Sequence, residues 1–442
     1  MRKMKDSGVE WIGEIPEKWS VWKMKHLASE PMQYGANATG VEYSESLPRY
    51  VRITDITTNR TLSNEGKQSL PTEIAEEYIL DDGDILFARS GATAGKSFYY
   101  ESKYGDCAFA GYLIRFKADF QKANSKFLYY YTLTQAYEEW SQQIFIQATI
   151  QNISAEKYNG LRFAIPDNIE QQNEIVEYLD KKCAEIDALI DAKEKTNSLL
   201  KEQRQSIIYE AVTKGLDPDV PTKDSGIEWI GEIPDSWKVC KIKHFAEGED
   251  GVKIGPFGSA LTNRLINDGD YNVYSQANLI GADFSKTNHT INEETFTQLN
   301  NYEVLPGDIC VSMMGTIGKC KVVPDGIKPG IMDSHLIKIR LDSTVNPKFF
   351  EYVYDKDNSG VCFVQMKMES KGSIMDGLNS KIVKNLLFPL PPIEEQDFIV
   401  KYLEEKCGKY DSLIKANNTT IDSLKEYRKS IIFEAVTGKV EI

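Results

Sequence analysis

Residues 169–213 read IEQQNEIVEYLDKKCAEIDALIDAKEKTNSLLKEQRQSIIYEAVT, and residues 393–437 read IEEQDFIVKYLEEKCGKYDSLIKANNTTIDSLKEYRKSIIFEAVT. Twenty-five of the 45 positions are identical at a constant offset of 224. After Pro166 the first copy meets neither proline nor glycine until Gly215. Its apolar residues fall at Ile175, Leu179, Cys183, Ile186, Leu189/Ile190, Leu200 and Ile207, with a polar gap over 193–197. Steps of three and four predict a helix with one buried seam. About 44 residues at 1.5 Å each give a rod roughly 66 Å long. A helix that long and that polar outside its seam needs a partner. The second copy, begun by Pro391-Pro392 and ended by Gly438, supplies one. Two long antiparallel helices packed as a coiled coil are therefore expected. In the alternative, each helix packs only on its own neighbouring domain.

Ahead of each helix stands a second repeat. Residues 5–27 (KDSGVEWIGEIPEKWSVWKMKHL) match residues 223–245 (KDSGIEWIGEIPDSWKVCKIKHF) at 16 of 23 positions, offset 218. A period above 200 residues is too long for a solenoid. It is a duplication with two similar frames and two diverged inserts. The expected segments are a box at 1–19, a variable domain at 20–165, a helix at 166–215, a linker and second box at 216–237, a second variable domain at 238–389 and a final helix at 390–442. Gly83-Asp84-Ile85 and Gly307-Asp308-Ile309 are a faint echo between the inserts. Arg49–Ile56, Tyr271–Ile280, Asp84–Ala88 and Asp308–Ser312 are predicted strands, and Lys126–Trp140 and Pro347–Asp355 predicted helices. The fold class is α+β: two mixed α/β domains joined by two long helices in a pseudo-two-fold repeat.

The chain has 442 residues, 41 % hydrophobic and 27 % charged, enough apolar material for several cores. No apolar run reaches the roughly 18 residues of a membrane span, and the first residues lack a signal-peptide pattern. The seven cysteines form no C-x-x-C pair and only four histidines are present, which argues against structural zinc or a disulfide framework and fits a reducing cytoplasm. The net charge is −14, which by itself speaks against a nucleic-acid binder. Divided along the chain, however, 20–165 carries −2 and 238–389 carries −1, so the acidity sits on the frames.

Catalytic signatures are missing. Gly91–Ser97 has three residues between its glycines where a phosphate-binding loop needs four. The sequence holds no H-E-x-x-H, G-x-S-x-G or G-x-G-x-x-G, and its one Pro-Pro opens a helix. His26 and His244, Cys183 and Cys407 are repeat-mates read as structural. The acidic groups Asp81-Asp82-Asp84 and Glu247/Glu249/Asp250 are read as solvated turns rather than cation sites.

Similar frames around diverged inserts suit bipartite recognition, in which two readers are held at a fixed separation. The boxes Asp6-Ser7-Gly8…Trp11-Ile12-Gly13…Ile15-Pro16…Trp19 and Asp224-Ser225-Gly226…Trp229-Ile230-Gly231…Ile233-Pro234…Trp237 carry a resemblance, together with the Pro…Glu-Gln-x-x-Ile…Leu helix start at Pro391–Leu403. The copy at Pro166–Leu179 departs from it, with Asn168 and Gln171 in place of Pro and Glu. Over essentially its whole length the chain resembles the specificity subunit of a type I restriction–modification system.

That resemblance implies two target-recognition domains, each reading half of a split site in double-stranded DNA. The helices set the spacer and dock two methyltransferase subunits, and two restriction/translocase subunits join them. S-adenosylmethionine, ATP and magnesium are used by those partners; this chain binds no cofactor or metal and does no chemistry. A two-fold adaptor that clamps partners without reading DNA is the alternative, and a self-contained methyltransferase a more distant one. Side chains able to read or grip DNA are expected at Arg49, Arg52, Arg60, Arg89, Ser90 and Lys96 in the first domain. In the second they are Lys253, Phe257, Ser259, Asn263, Arg264, Ser275, Gln276, Asn278, Met313, Thr316 and Lys319. Trp11, Pro16, Trp19, Trp229, Pro234 and Trp237 are read as packing residues of the frame or as contacts to a methyltransferase subunit.

Overall fold

The computed structural model describes residues 3–146, 152–248, 250–257, 260–261, 269–287, 289–369 and 378–442. The chain forms two compact units, one of Met1–Lys193 with Asn418–Ile442, the other of Glu194–Asn417. The long helices are Ile169–Lys214 and Ile393–Val436, 46 and 44 residues. Each unit therefore takes the first half of one helix and the second half of the other.

Within each unit the two helix segments run antiparallel. In the first, Asp187 pairs with Arg428 at 2.9 Å, and Gln171 lines the same pocket as Ile442. In the second, Arg204 pairs with Asp411 at 3.0 Å, and Gly215 faces the Glu395 carboxylate. The two ion pairs are repeat-mates, Asp187 with Asp411 and Arg204 with Arg428. The expected coiled-coil packing is what the units contain. Ile175, Leu179, Cys183, Ile186 and Ile190 share a core with Ile421, Ile431, Ile432, Ala435 and Val436. Ile208, Ala211 and Val212 share one with Ile399, Leu403 and Cys407. The seam differs from the expected one in detail. Leu189 is 54 % exposed beside buried Ile190, and Ile208 rather than Ile207 is fully buried.

The two inserts share a topology that their sequences conceal. Each unit has a box hairpin, Met4–Asp6 with Glu14–Pro16 and Thr222–Asp224 with Glu232–Pro234. Each closes its variable domain by pairing the first strand with the last, Trp19–Lys23 with Arg162–Pro166 and Lys238–Lys241 with Leu387–Leu390. Each has an antiparallel four-stranded sheet. The strand order is Gln33–Tyr34, Leu113–Phe116, Ile85–Ala88, Ser97–Tyr99 in one unit and Val252–Ile254, Leu336–Ile339, Ile309–Ser312, Cys320–Val322 in the other. Each also has a second sheet around a parallel pair, Arg49–Val51 with Cys107–Phe109 in a four-stranded sheet and Tyr271–Tyr274 with Gly330–Met332 in a three-stranded one.

Two predicted strands stop early, for the same reason. At Arg49–Ile56 the strand ends at Val51, and at Tyr271–Ile280 it ends at Tyr274. The Asp55 carboxylate accepts the Arg52 backbone N–H at 2.7 Å, and Asn278 Oδ1 that of Ser275 at 2.9 Å. These capping boxes turn the chain into short helices, which strand-like alternation does not reveal. The predicted helix over Lys126–Trp140 is broken into Ser125–Tyr131 and Gln135–Ile146.

The Glu-Gln motif at the helix starts acts as a latch. Gln396 accepts the Asn346 N–H at 2.8 Å and donates to the carbonyls of Thr344 and Pro391, both at 2.9 Å. Gln172 does the same with Asn124, Lys122 and Pro166. Both are at most 1 % exposed. Gln396→Ala leaves three backbone groups without this partner, the Pro391 carbonyl buried and the other two part-buried, and should cost about 2–4 kcal/mol; a urea-unfolding midpoint within error of wild type would contradict the latch.

Candidate nucleic-acid interface

The four-stranded sheets end in equivalent corners. In the first unit the strand Ile85–Ala88 runs into Arg89, whose N–H donates to the Tyr112 carbonyl at 3.0 Å and whose carbonyl accepts from Ile153. The Arg89 guanidinium carbon lies 5.0 Å from the centre of the Tyr34 ring, a cation–π arrangement. Arg89 Nε is buried without a hydrogen bond. Tyr34 and Tyr112 are 39 % and 62 % exposed, and Ser90 bridges to Asn152. An exposed aromatic ring against a half-buried arginine presents both a stacking surface and a donor fork. Composition and charge did not single out Tyr34 and Tyr112; their one local signal is an aromatic beside a glycine at a strand end.

The second corner uses other side chains. Met313 takes the place of Arg89, donating its N–H to the His335 carbonyl at 3.0 Å, so that His335 stands where Tyr112 does. Ile254 replaces Tyr34 ahead of the matching glycine. Gln276 reaches in from the neighbouring helix. Its amide nitrogen lies 2.5–2.6 Å from Ser312 Oγ, the Met314 carbonyl and Thr316 Oγ1 and shares its two N–H donors among them. No described residue donates to its Oε1, which remains an acceptor.

The other expected contacts divide sharply. Arg52 is spent inside the domain, on Asp55 (2.8 and 3.1 Å), Gln68 (2.9 Å) and the Gly66 carbonyl (2.8 Å). Arg49 is 8 % exposed and donates to the Ser63 carbonyl, so it is not on an open reading surface. Arg60 donates to Ser97, and Lys96 to the Ile56 carbonyl at 3.2 Å. Burial, then the neighbouring Arg60 charge, hold the Lys96 ammonium below its ordinary pKa. Ser275 and Asn278 form a helix cap, with Asn278 6 % exposed. Lys253 pairs with Asp250 at 3.1 Å and Lys319 with Asp357. Phe257 is 59 % exposed. Ser259, Asn263 and Arg264 lie outside the described residues.

The box residues also divide. Trp19 and Trp237 are at most 1 % exposed and Pro16 and Pro234 are buried. Each pair lies under the glycine that follows a long helix. A Cβ on Gly438 would stand 2.4 Å from Pro16 Cγ and 3.0 Å from Trp19 Cζ2, and Gly215 meets Pro234 and Trp237 likewise. These four pack their own unit. Trp11 and Trp229 are partly exposed.

The acidic groups read as solvated turns are not all solvated. Asp84 is 1 % exposed and accepts the Asp81 N–H at 2.9 Å, with Arg115 3.8 Å away. Asp308 repeats this with Leu305 and Arg340, which explains the Gly-Asp-Ile echo. Among the described residues no acidic, cysteine or histidine cluster has the form of a metal site. Burial raises the Asp84 pKa from 3.8 to about 6, against the Asp81 N–H and Arg115. A raised folded-state pKa means that its contribution to stability is complete below about pH 4 and lost as pH rises through about 6, on the order of 2–3 kcal/mol. Asp84→Asn keeps an acceptor for Asp81 and should flatten unfolding midpoints between pH 4 and 7; an unchanged profile would count against it.

Known proteins agree with this architecture. The family profile described as "Type I restriction modification DNA specificity domain" matches residues 47–201 and 234–426. The chain is similar to the putative type I restriction enzyme MjaX specificity subunit of Methanocaldococcus jannaschii, 25 % identical over 98 % of this chain and 96 % of that protein. It is also similar to the StySPI specificity subunit of Salmonella potsdam, 22 % identical over 83 % of this chain and 77 % of that one. A solved chain reported under "Structural basis underlying complex assembly and conformational transition of the type I R-M system" shares the fold, with a TM-score of 0.67 at 14 % identity over 96 % of this chain and 99 % of that one. No described helix is long and apolar enough to cross a membrane. With its two matched segments covering most of its length, this chain belongs to the type I restriction–modification DNA specificity family.

Proposed function

We propose that each unit reads one half of a split DNA site through the corner of its four-stranded sheet, and that the paired helices fix the unread spacer. The observation that carries this is the repeated corner. The same backbone places Arg89, Tyr34 and Tyr112 in one unit and Met313, Ile254, His335 and Gln276 in the other. A common scaffold with different side chains is what an asymmetric bipartite site requires. Family membership supports DNA reading over a partner clamp with no DNA role.

In this proposal two methyltransferase subunits dock on the chain and bring S-adenosylmethionine to adenines. Two restriction/translocase subunits, using ATP and magnesium, complete the assembly in the cytoplasm. This chain supplies sequence choice and binds none of those cofactors. Its near-neutral readers leave most of the phosphate grip to the partners. The test is reconstitution with the methyltransferase subunits, followed by methylome sequencing and DNA retention. Arg89→Ala should weaken retention of the cognate site at least tenfold, with little change on unrelated DNA. Equal weakening on both would make Arg89 a backbone contact, and failure of the wild-type complex to retain any sequence selectively would sink the function itself.

A further inference from the structure

Arg49 raises a separate question. Arg49 is 8 % exposed and its Nε is buried, yet no described carboxylate lies within ion-pair distance. Among the described residues its side chain makes one hydrogen bond, to the Ser63 carbonyl, and Nε makes none. A desolvated cation without a counter-ion is costly, and a fold that needs only packing there would place a neutral group. The other unit does so. At the equivalent register of the parallel strand pair stands Asn272, neutral and bonded to the Tyr274 hydroxyl at 3.3 Å.

Arg49 lines a pocket of about 300 Å³. Lys67, its second cation, lies 3.6 Å from the Tyr43 ring centre and has no ion-pair partner among the described residues. Ser46, Asn64 and Tyr104 add hydrogen-bonding groups to the wall. Glu45 and Asp106 also line it, but both are exposed. Water screens the carboxylates at the rim far more than it screens the buried guanidinium.

We propose that this pocket binds a phosphate-type oxyanion between Arg49 and Lys67. The oxyanion comes from a DNA backbone phosphate or from free phosphate. The backbone arm rests on the DNA-reading function proposed above; the free-phosphate arm does not.

The test uses the full-length chain and its methyltransferase complex, with wild type, Arg49→Gln and the half-exposed, fold-sparing Lys67→Gln. In the first arm, inorganic phosphate is compared with chloride at matched ionic strength. The wild-type unfolding midpoint should rise by a few degrees and that of Lys67→Gln should not. In the second arm, the salt dependence of cognate-DNA binding is measured. If the source is the backbone, Lys67→Gln should lower the slope of log K against log salt by about one while leaving site selection intact. A phosphate effect with an unchanged slope assigns free phosphate. A phosphate effect of equal size in wild type and variants, or no response in either arm, overturns the proposal. Loss of site selection in the wild type would instead be a failure of the proposed function.

Discussion

A seven-residue helical block inserted after Lys193, with a matching block after Asn417, should lengthen the unread spacer of the recognised site by about three base pairs and leave both half-sites unchanged. Those positions are where the two compact units divide. They lie in the polar gap of the seam, beside the 3.0 Å contact of Asn417 with Asn197. Seven residues add about 10 Å of helix, and a base pair rises about 3.4 Å. A heptad also returns the seam to within about 20° of its phase, so the buried isoleucines on either side keep their partners. Inserting in only one helix should destabilise the chain, because the antiparallel register of Asp187 with Arg428 and of Arg204 with Asp411 cannot then be met in both units. Methylome sequencing of a host carrying the doubly extended chain reads the outcome. A changed half-site, or an unchanged spacer, refutes the helices as a ruler.

Gly255→Ala should abolish folding of the second variable domain, and Gly35→Ala that of the first. Both glycines stand at the edge of their four-stranded sheet, where their N–H groups bond Leu336 and Leu113 at 3.0 and 3.2 Å. A Cβ on Gly255 would lie 1.8 Å from the Asp333 carbonyl oxygen, and one on Gly35 2.4 Å from the carbonyl oxygens of Phe109 and Ala110. The obstacle in each case is main chain at the end of a strand of the second sheet, so no side chain can swing aside. The cost should exceed about 4 kcal/mol. Gly281→Ala is the control: nothing lies within 4 Å of its Cβ, and the change should stay within about 0.5 kcal/mol. Thermal unfolding compares the three. A Gly255→Ala protein that melts like Gly281→Ala would show that the edge strand is not held as described.

The frames were legible because they are written twice. The seam isoleucines, the boxes and the helix ends at Pro391-Pro392 and Gly438 all follow from local spacing. The sheets of the inserts were not, since two domains with little common sequence converge on one topology through contacts between distant strands. The reading surface was less legible still. Arg49, Arg52, Arg60 and Arg89 look alike in a sequence, and what separates them is tertiary. Arg60 meets Ser97, 37 residues on, and Arg52 meets Gln68, 16 residues on. Arg89 meets Tyr34 across the intervening strand Leu113–Phe116. Local charge marks a donor, but only the fold shows whether that donor is already in use.

The crossing of the helices between units has a consequence for synthesis. Domains usually mature in the order in which they leave the ribosome. Here the order is reversed. The second unit has all of its residues once Asn417 has emerged. The first, although it begins at the amino terminus, still lacks Ile421, Ile431, Ile432, Ala435 and Val436 of its core. Until the last residues are made, Ile175, Leu179 and Ile186 have no helix to cover them. A nascent chain stalled near residue 417 would therefore carry a finished second reader and an open first one, with its apolar seam available to chaperones or to proteases.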